Sequence, residues 1–165
     1  MSRSALELVG VVGTGLGLLA GANGASDPRQ PASSSSVQYL EGSAAQQERA
    51  YSPAVVTRGG RIIWLAGQTA TTDLNGKSLV GDFLGQARTV FALIDRTLKR
   101  SGASLQNLVT MTVFINDPRN GDPFVKLRRE MFPDGKFPAS ALITVSNFAQ
   151  PGILIEIQGV AVIGE

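Results

Sequence analysis

Phe137-Pro138-Ala139-Ser140-Ala141, then Gln150-Pro151-Gly152 and the run Ile153-Leu154-Ile155-Glu156-Ile157-Gln158-Gly159-Val160-Ala161-Val162, decide the fold of this chain. The β-branched composition reads as the last two strands, Ala139 to Val145 and Ile153 to Val162. Along the final strand, Ile153, Ile155, Ile157, Gly159 and Ala161 share one face; Leu154, Glu156, Gln158, Val160 and Val162 share the other. Both faces are largely apolar, so both need covering. Helices cover one, and the other asks for a partner chain. Glu156 sits in the middle of this run, and burying a carboxylate is costly unless something pairs with it or uses it. It is either a functional group or a structural carboxylate satisfied by backbone amides or a neighbouring subunit.

Outward from that stretch, Ala54-Val55-Val56-Thr57 and Ile62-Ile63-Trp64-Leu65 flank Arg58-Gly59-Gly60-Arg61, which reads as a tight hairpin. Asp82 is a natural N-cap for a helix carrying Phe83, Ala87, Val90, Phe91, Ile94 and Leu98 at helical spacing, with Gly102 closing it. Leu108 to Ile115 reads as a strand, and a second helix starts near Pro123 and runs to about Met131. The predicted order is β-β-α-β-α-β-β, an α+β domain whose mixed sheet packs both helices on one face. Trp64 falls to core or subunit interface. Lys126, Arg128 and Arg129 read as a solvated helix face, with a ligand anchor as the alternative for the two arginines.

Residues 1–36 differ in kind. Arg3 precedes an apolar run from Leu8 to Leu19, then Ala20-Gly21-Ala22, and Pro28, Pro31 and Ser33-Ser34-Ser35-Ser36 follow as a linker. This pattern predicts a signal peptide cleaved near Ala22 and a periplasmic or secreted domain over 37–165; a cytoplasmic tail is the alternative. The run falls short of the about 20 apolar residues a membrane span needs, so no span is expected in the mature protein.

The chain has no histidine and no cysteine. That excludes Ser-His-Asp and Cys-His catalysis, zinc sites with His or Cys ligands, disulfides and histidine-based ribonuclease chemistry. Acid-base work near neutral pH falls to Glu, Asp, Lys, Tyr or water. The charge is close to balanced, 15 basic against 13 acidic residues, with no aromatics among the basic groups, so nucleic acid is not an expected partner.

Tyr51-Ser52-Pro53-Ala54, Ala66-Gly67-Gln68, Gly102-Ala103-Ser104-Leu105, Val109-Thr110-Met111-Thr112-Val113-Phe114, the Phe137-Pro138-Ala139 segment and Ile155-Glu156-Ile157 occur in an order and at a spacing that resemble the RidA/YjgF family, often labelled endoribonuclease L-PSP. The resemblance covers roughly Val37 to the C-terminus. It implies a chorismate-mutase-like fold and a homotrimer whose sheets form a central barrel, with a small-molecule ligand held in clefts between subunits. Many relatives hydrolyse reactive enamines and imines without metal or organic cofactor. In those members an arginine grips the substrate carboxylate and a glutamate positions water.

Carried over, the resemblance implies catalytic roles for Glu156 and Tyr51 and substrate-binding roles for Gly67, Gln68, Ala139, Ser140 and Leu142. Ser140 stands where the deaminating members have the arginine, Ala66 where their turn has a serine, and Leu142 at a position often small or polar. An asparagine that lines the cleft in some members aligns near Val125 or Lys126. These departures fall on substrate recognition. The expected function is a divergent hydrolase deaminating a small enamine or imine, the alternative a non-catalytic binding or chaperone-like trimer.

Overall fold

The computed structural model describes residues 36–164, so the expected leader and nearly all of the linker lie outside the described residues. The chain runs β1 (Ser36–Tyr39), α1 (Ala44–Glu48), β2 (Val55–Arg58), β3 (Arg61–Gln68), α2 (Phe83–Lys99), β4 (Leu108–Ile115), α3 (Gly121–Met131), β5 (Ala139–Thr144) and β6 (Ile155–Ile163), with single 3-10 turns before β4 and α3. The α+β class and the mixed sheet stand as expected. β3, β6, β4 and β5 lie side by side in that order, with β4 and β5 parallel and the other pairs antiparallel.

α2 begins where its sequence says it should: the Asp82 carboxylate accepts from the Gly85 amide. At its other end Gly102 has φ +76°, and the Ala103 amide reaches back to the Leu98 carbonyl in a Schellman closure. Phe91 is stacked on Phe124 of α3 and meets Phe132 edge-on. With Ile94, Leu98, Met111, Val113, Ile115, Ile155 and Ile157 these rings form one core between the helices and a single face of the sheet.

Three expectations need correction. The Gly59-Gly60 turn does not close a hairpin: β2 pairs with β1, Ser36 opposite Arg58, while β3 pairs with β6. Both glycines have positive φ, as a tight turn wants, but a Cβ on Gly60 would stand 2.3 Å from the Ile163 carbonyl oxygen. The turn thus packs on the end of β6 and hands the chain from one sheet to another. Next, β1 and α1 precede the predicted first strand, and β1 includes Ser36, which the sequence reading gave to the linker. α1 carries a legible signature: Ser43 and Gln46 cap each other's backbone. Finally, of the two places read for Trp64, core or subunit interface, the core is ruled out, since the residue is 78% exposed. It lies with Ile62, Ile143, Thr112 and Gln158 on the sheet face that no helix covers. Among the described residues no helix is long and apolar enough to cross a membrane.

Candidate functional site

The β3 strand carries an extra residue near its end: Leu65 lies opposite Gly159, and Gln68, three residues on, lies opposite Ile157, only two residues back. This bulge turns Gly67 toward Glu156 of the neighbouring strand. A Cβ added at Gly67 would come 1.9 Å from the Glu156 Oε1 oxygen and 2.9 Å from its Cδ, so the carboxylate lies over the bare glycine and a side chain there would displace it. The Gln68 side-chain nitrogen donates to the Gly67 carbonyl beside the bulge. Glu156 is half-buried, opposite Phe114 of β4 on the helix-free face, and forms none of the ion pairs found among the described residues. Gly67, Gln68 and Glu156 therefore make one unit.

Tyr51, Ser52, Ala139 and Ser140 make another. Ser52 bridges to Ala139 and its amide donates to the Pro138 carbonyl, which sets Tyr51 beside the start of β5. Tyr51 lines a cleft of about 350 Å³ with Tyr39, Gly42, Gln47, Arg129 and Phe137. Ser140 lies opposite Met111, which faces the helices, so Ser140 and Glu156 sit on opposite faces of the sheet with β4 between their strands. One chain does not bring the predicted residues into a single site. Leu142 faces the helices too, packing on the core beside Gly121.

The solvated helix face predicted for the α3 basic residues holds for Lys126 and Arg129 but not for Arg128. Arg128 is 2% exposed. Its Nη1 donates to Ser140 Oγ at 2.6 Å and its Nη2 to the Arg49 carbonyl at 2.5 Å, while the guanidinium lies 5.3 Å from the Phe124 ring centre. Burial, and then the neighbouring Arg49 charge, pull its pKa down to about 10, with Tyr51 pulling the other way. A sequence signal for this existed. Gly121, Phe124, Val125 and Arg128 follow i, i+3, i+4, i+7 spacing, so Arg128 falls on the buried stripe of α3 and Arg129 does not. Arg129 instead donates to the Gln47 and Glu48 carbonyls. The two arginines between them cap the exposed carbonyls at the end of α1.

The model of the endoribonuclease L-PSP family matches residues 41–163. The chain belongs to this family, also called RidA/YjgF. Within it, the chain is 30% identical over 111 residues to a RutC family protein of Pyrococcus horikoshii, covering 67% of this chain and 85% of that protein. Among solved structures it is similar to a Rid-family protein of unknown function, YyfB of Yersinia pestis, with TM-score 0.67 and 26% identity over 79% of this chain and 99% of that one. RidA of an Antarctic Psychrobacter gives TM-score 0.57 and 26% identity, covering 68% and 88%. The family match thus spans all of the described elements from α1 to β6.

Proposed function

We propose that this RidA/YjgF member is a divergent hydrolase that releases ammonia from a small enamine or imine, in clefts formed between the subunits of a homotrimer. The observation that carries the reading is the Glu156 carboxylate, kept out of every ion pair among the described residues and given room by the side-chain-free Gly67. A carboxylate so placed can orient a water and take its proton. The water oxygen bonds to the imine carbon, the nitrogen gains protons, the C–N bond breaks, and ammonia leaves a carbonyl product behind. An iminium carbon is already electrophilic, so orientation and proton handling supply the catalysis. The placement of Ser140 and Glu156 on opposite faces of the sheet supports the intersubunit cleft, because Tyr51 and Ser140 of one copy can meet Glu156 and Gly67 only of another.

Ammonia release from freshly generated 2-iminoacids and from neutral imines tests the hydrolase. Glu156→Gln should lower the rate by about 10²–10⁴, the usual worth of a positioned acid-base group. Equal rates in wild type and Glu156→Gln, or no release from any imine, would remove it. The second reading, a non-catalytic ligand-binding trimer, is favoured by Ser140 in place of the family's arginine; it predicts ligand affinity unchanged by Glu156→Gln. Export is part of the proposal: a mature N-terminus just after Ala22 in the periplasm or medium would support it, and a full-length cytoplasmic chain would overturn it.

A further inference from the structure

Just beyond the bulge that carries Gly67, the chain leaves β3 in a loop dense with threonine: Thr69, Thr71 and Thr72, then Asp73. With Thr89 and Arg96 of α2 and Gln150 of the β5–β6 loop, these side chains line a cavity of about 350 Å³, within the size range of small-molecule sites. It shares no lining residue with the cleft at Tyr51 or with the Gly67–Glu156 unit. The walls hold their shape without a ligand. Asp73 Oδ1 accepts from the Asn75 and Lys77 amides, and the Leu79 amide closes on the Thr71 carbonyl. The buried Gln86 then ties this loop to the β5–β6 loop by donating to the Leu79 and Gly152 carbonyls. The side-chain hydrogen bonds of these two loops come from Asp73, Ser78, Gln86 and Asn147, and none uses a threonine hydroxyl. Thr89 stands mid-helix, where threonine is a weak helix former, so its place in α2 owes little to propensity.

Charge decides the class of ligand. Arg96 and Asp73 enter none of the ion pairs among the described residues, and the two charges balance across the cavity. An anion would meet Asp73 and a cation would meet Arg96, so the lining favours neither. Four hydroxyls, each able to donate one hydrogen bond and accept two, suit a ligand with the same capacity at several points. We propose that this cavity binds a neutral polyhydroxylated molecule of monosaccharide size, at a site independent of the hydrolytic cleft. The threonine hydroxyls exchange hydrogen bonds with those of the ligand. Arg96 donates to one of its hydroxyls and Asp73 accepts from another, as charge-assisted partners. Leu74 and Leu93 complete the lining and meet its C–H groups.

Sugars and polyols are excluded from protein surfaces in general and raise stability without binding, so a melting temperature does not test the site. Amide chemical shifts of the full chain, titrated with D-glucose, D-mannitol and inorganic phosphate, do. Wild type should show saturable shifts with at least one of the two polyols, centred on residues 69–74, 89–96 and 150, with a dissociation constant of about 1 mM. Phosphate should bind more weakly. Asp73→Asn, which keeps the Oδ1 acceptor for its own turn, and Arg96→Met should each weaken polyol binding at least about tenfold. Thr89→Val, of nearly equal shape, should weaken it by about three- to tenfold. If Thr89→Val disturbs α2, Arg96→Met decides, since Arg96 is exposed and outside the core. Shifts that grow without saturation, polyol affinity unchanged in Arg96→Met and Asp73→Asn, or phosphate bound more tightly than either polyol would each overturn the site. Ammonia release from imines should be the same in Arg96→Met as in wild type, so the fate of this site and that of the hydrolase are read separately.

Discussion

At Gly67 the missing side chain is what makes room for Glu156, so the two positions should be energetically coupled. Gly67→Ala forces the methyl against the carboxylate and should destabilise the fold by roughly 1–3 kcal/mol, the usual cost of overpacking. Urea unfolding of Gly67→Ala in a Glu156→Ala background should recover at least half of that loss, as neighbours sharing one space do. Additive effects would show that the glycine serves the bulge's backbone alone. Gln86 is a different kind of buried polar residue, because each of its polar atoms has a partner: its side-chain nitrogen donates to the Leu79 and Gly152 carbonyls, and its oxygen accepts from the Leu154 amide. Gln86→Leu strands the Gly152 carbonyl and the Leu154 amide, while the Leu79 carbonyl keeps the Asp82 amide, and should cost about 2–4 kcal/mol in denaturant unfolding, with amide exchange at Leu154 accelerating. Arg128 shares Gln86's burial but not its satisfaction, since its Nε is buried with no acceptor.

Between elements, Asp95 joins the end of α2 to the turn that launches β4. Its carboxylate pairs with Lys99 one helical turn on and accepts from the Leu105 amide. The hydrogen bond from Lys99 is the main cause that holds its pKa below the ordinary carboxylate value, with the Leu105 amide adding to it against some desolvation. A depressed carboxylate pKa contributes stability that is present above the unfolded value, about 3.9, and is lost as pH falls through the folded one. Wild type should therefore exceed Asp95→Asn in unfolding free energy by roughly 0.5–1 kcal/mol at pH 7, since the ion pair is solvent-facing, and the difference should close below about pH 4. A gap that persists at low pH would mean Asp95 acts by packing rather than by charge. α1 is likewise held from outside, by arginines of α3. Five residues make a helix too short to persist alone, so its geometry depends on those caps.

For the whole molecule, the face carrying Trp64, Ile62 and Ile143 is left open by a single copy. A sheet with an apolar exposed face is an interface in waiting, and the family's trimeric barrel is the arrangement proposed to cover it. Sedimentation should give the trimer mass for wild type and a smaller species for Trp64→Lys with unchanged circular dichroism. Trp64 is the chain's single tryptophan, so its emission reports this face alone and should shift to the red when the copies separate. A monomeric wild type would end both the trimer and the intersubunit cleft.

Periodicity was enough to find α2, β4, α3 and the last two strands, because each is amphipathic or β-branched over a length that admits one reading. The caps at Asp82 and Gly102 were legible for the same reason: they answer needs of the local backbone. β1 and the partner of β2 were not legible, since four-residue strands carry little pattern and pairing is decided by which backbone edges meet. Glu156 and Gly67 could be named from sequence as separate positions. That one fits into the space left by the other follows from a bulge in β3, which only the register reveals. The sequence by itself determined the family and the core, and it set a serine at position 140. Only the tertiary structure decided that Arg128 stands behind that serine, because a helix side chain reaching a strand several turns of chain away is a matter of packing and leaves no spacing to read.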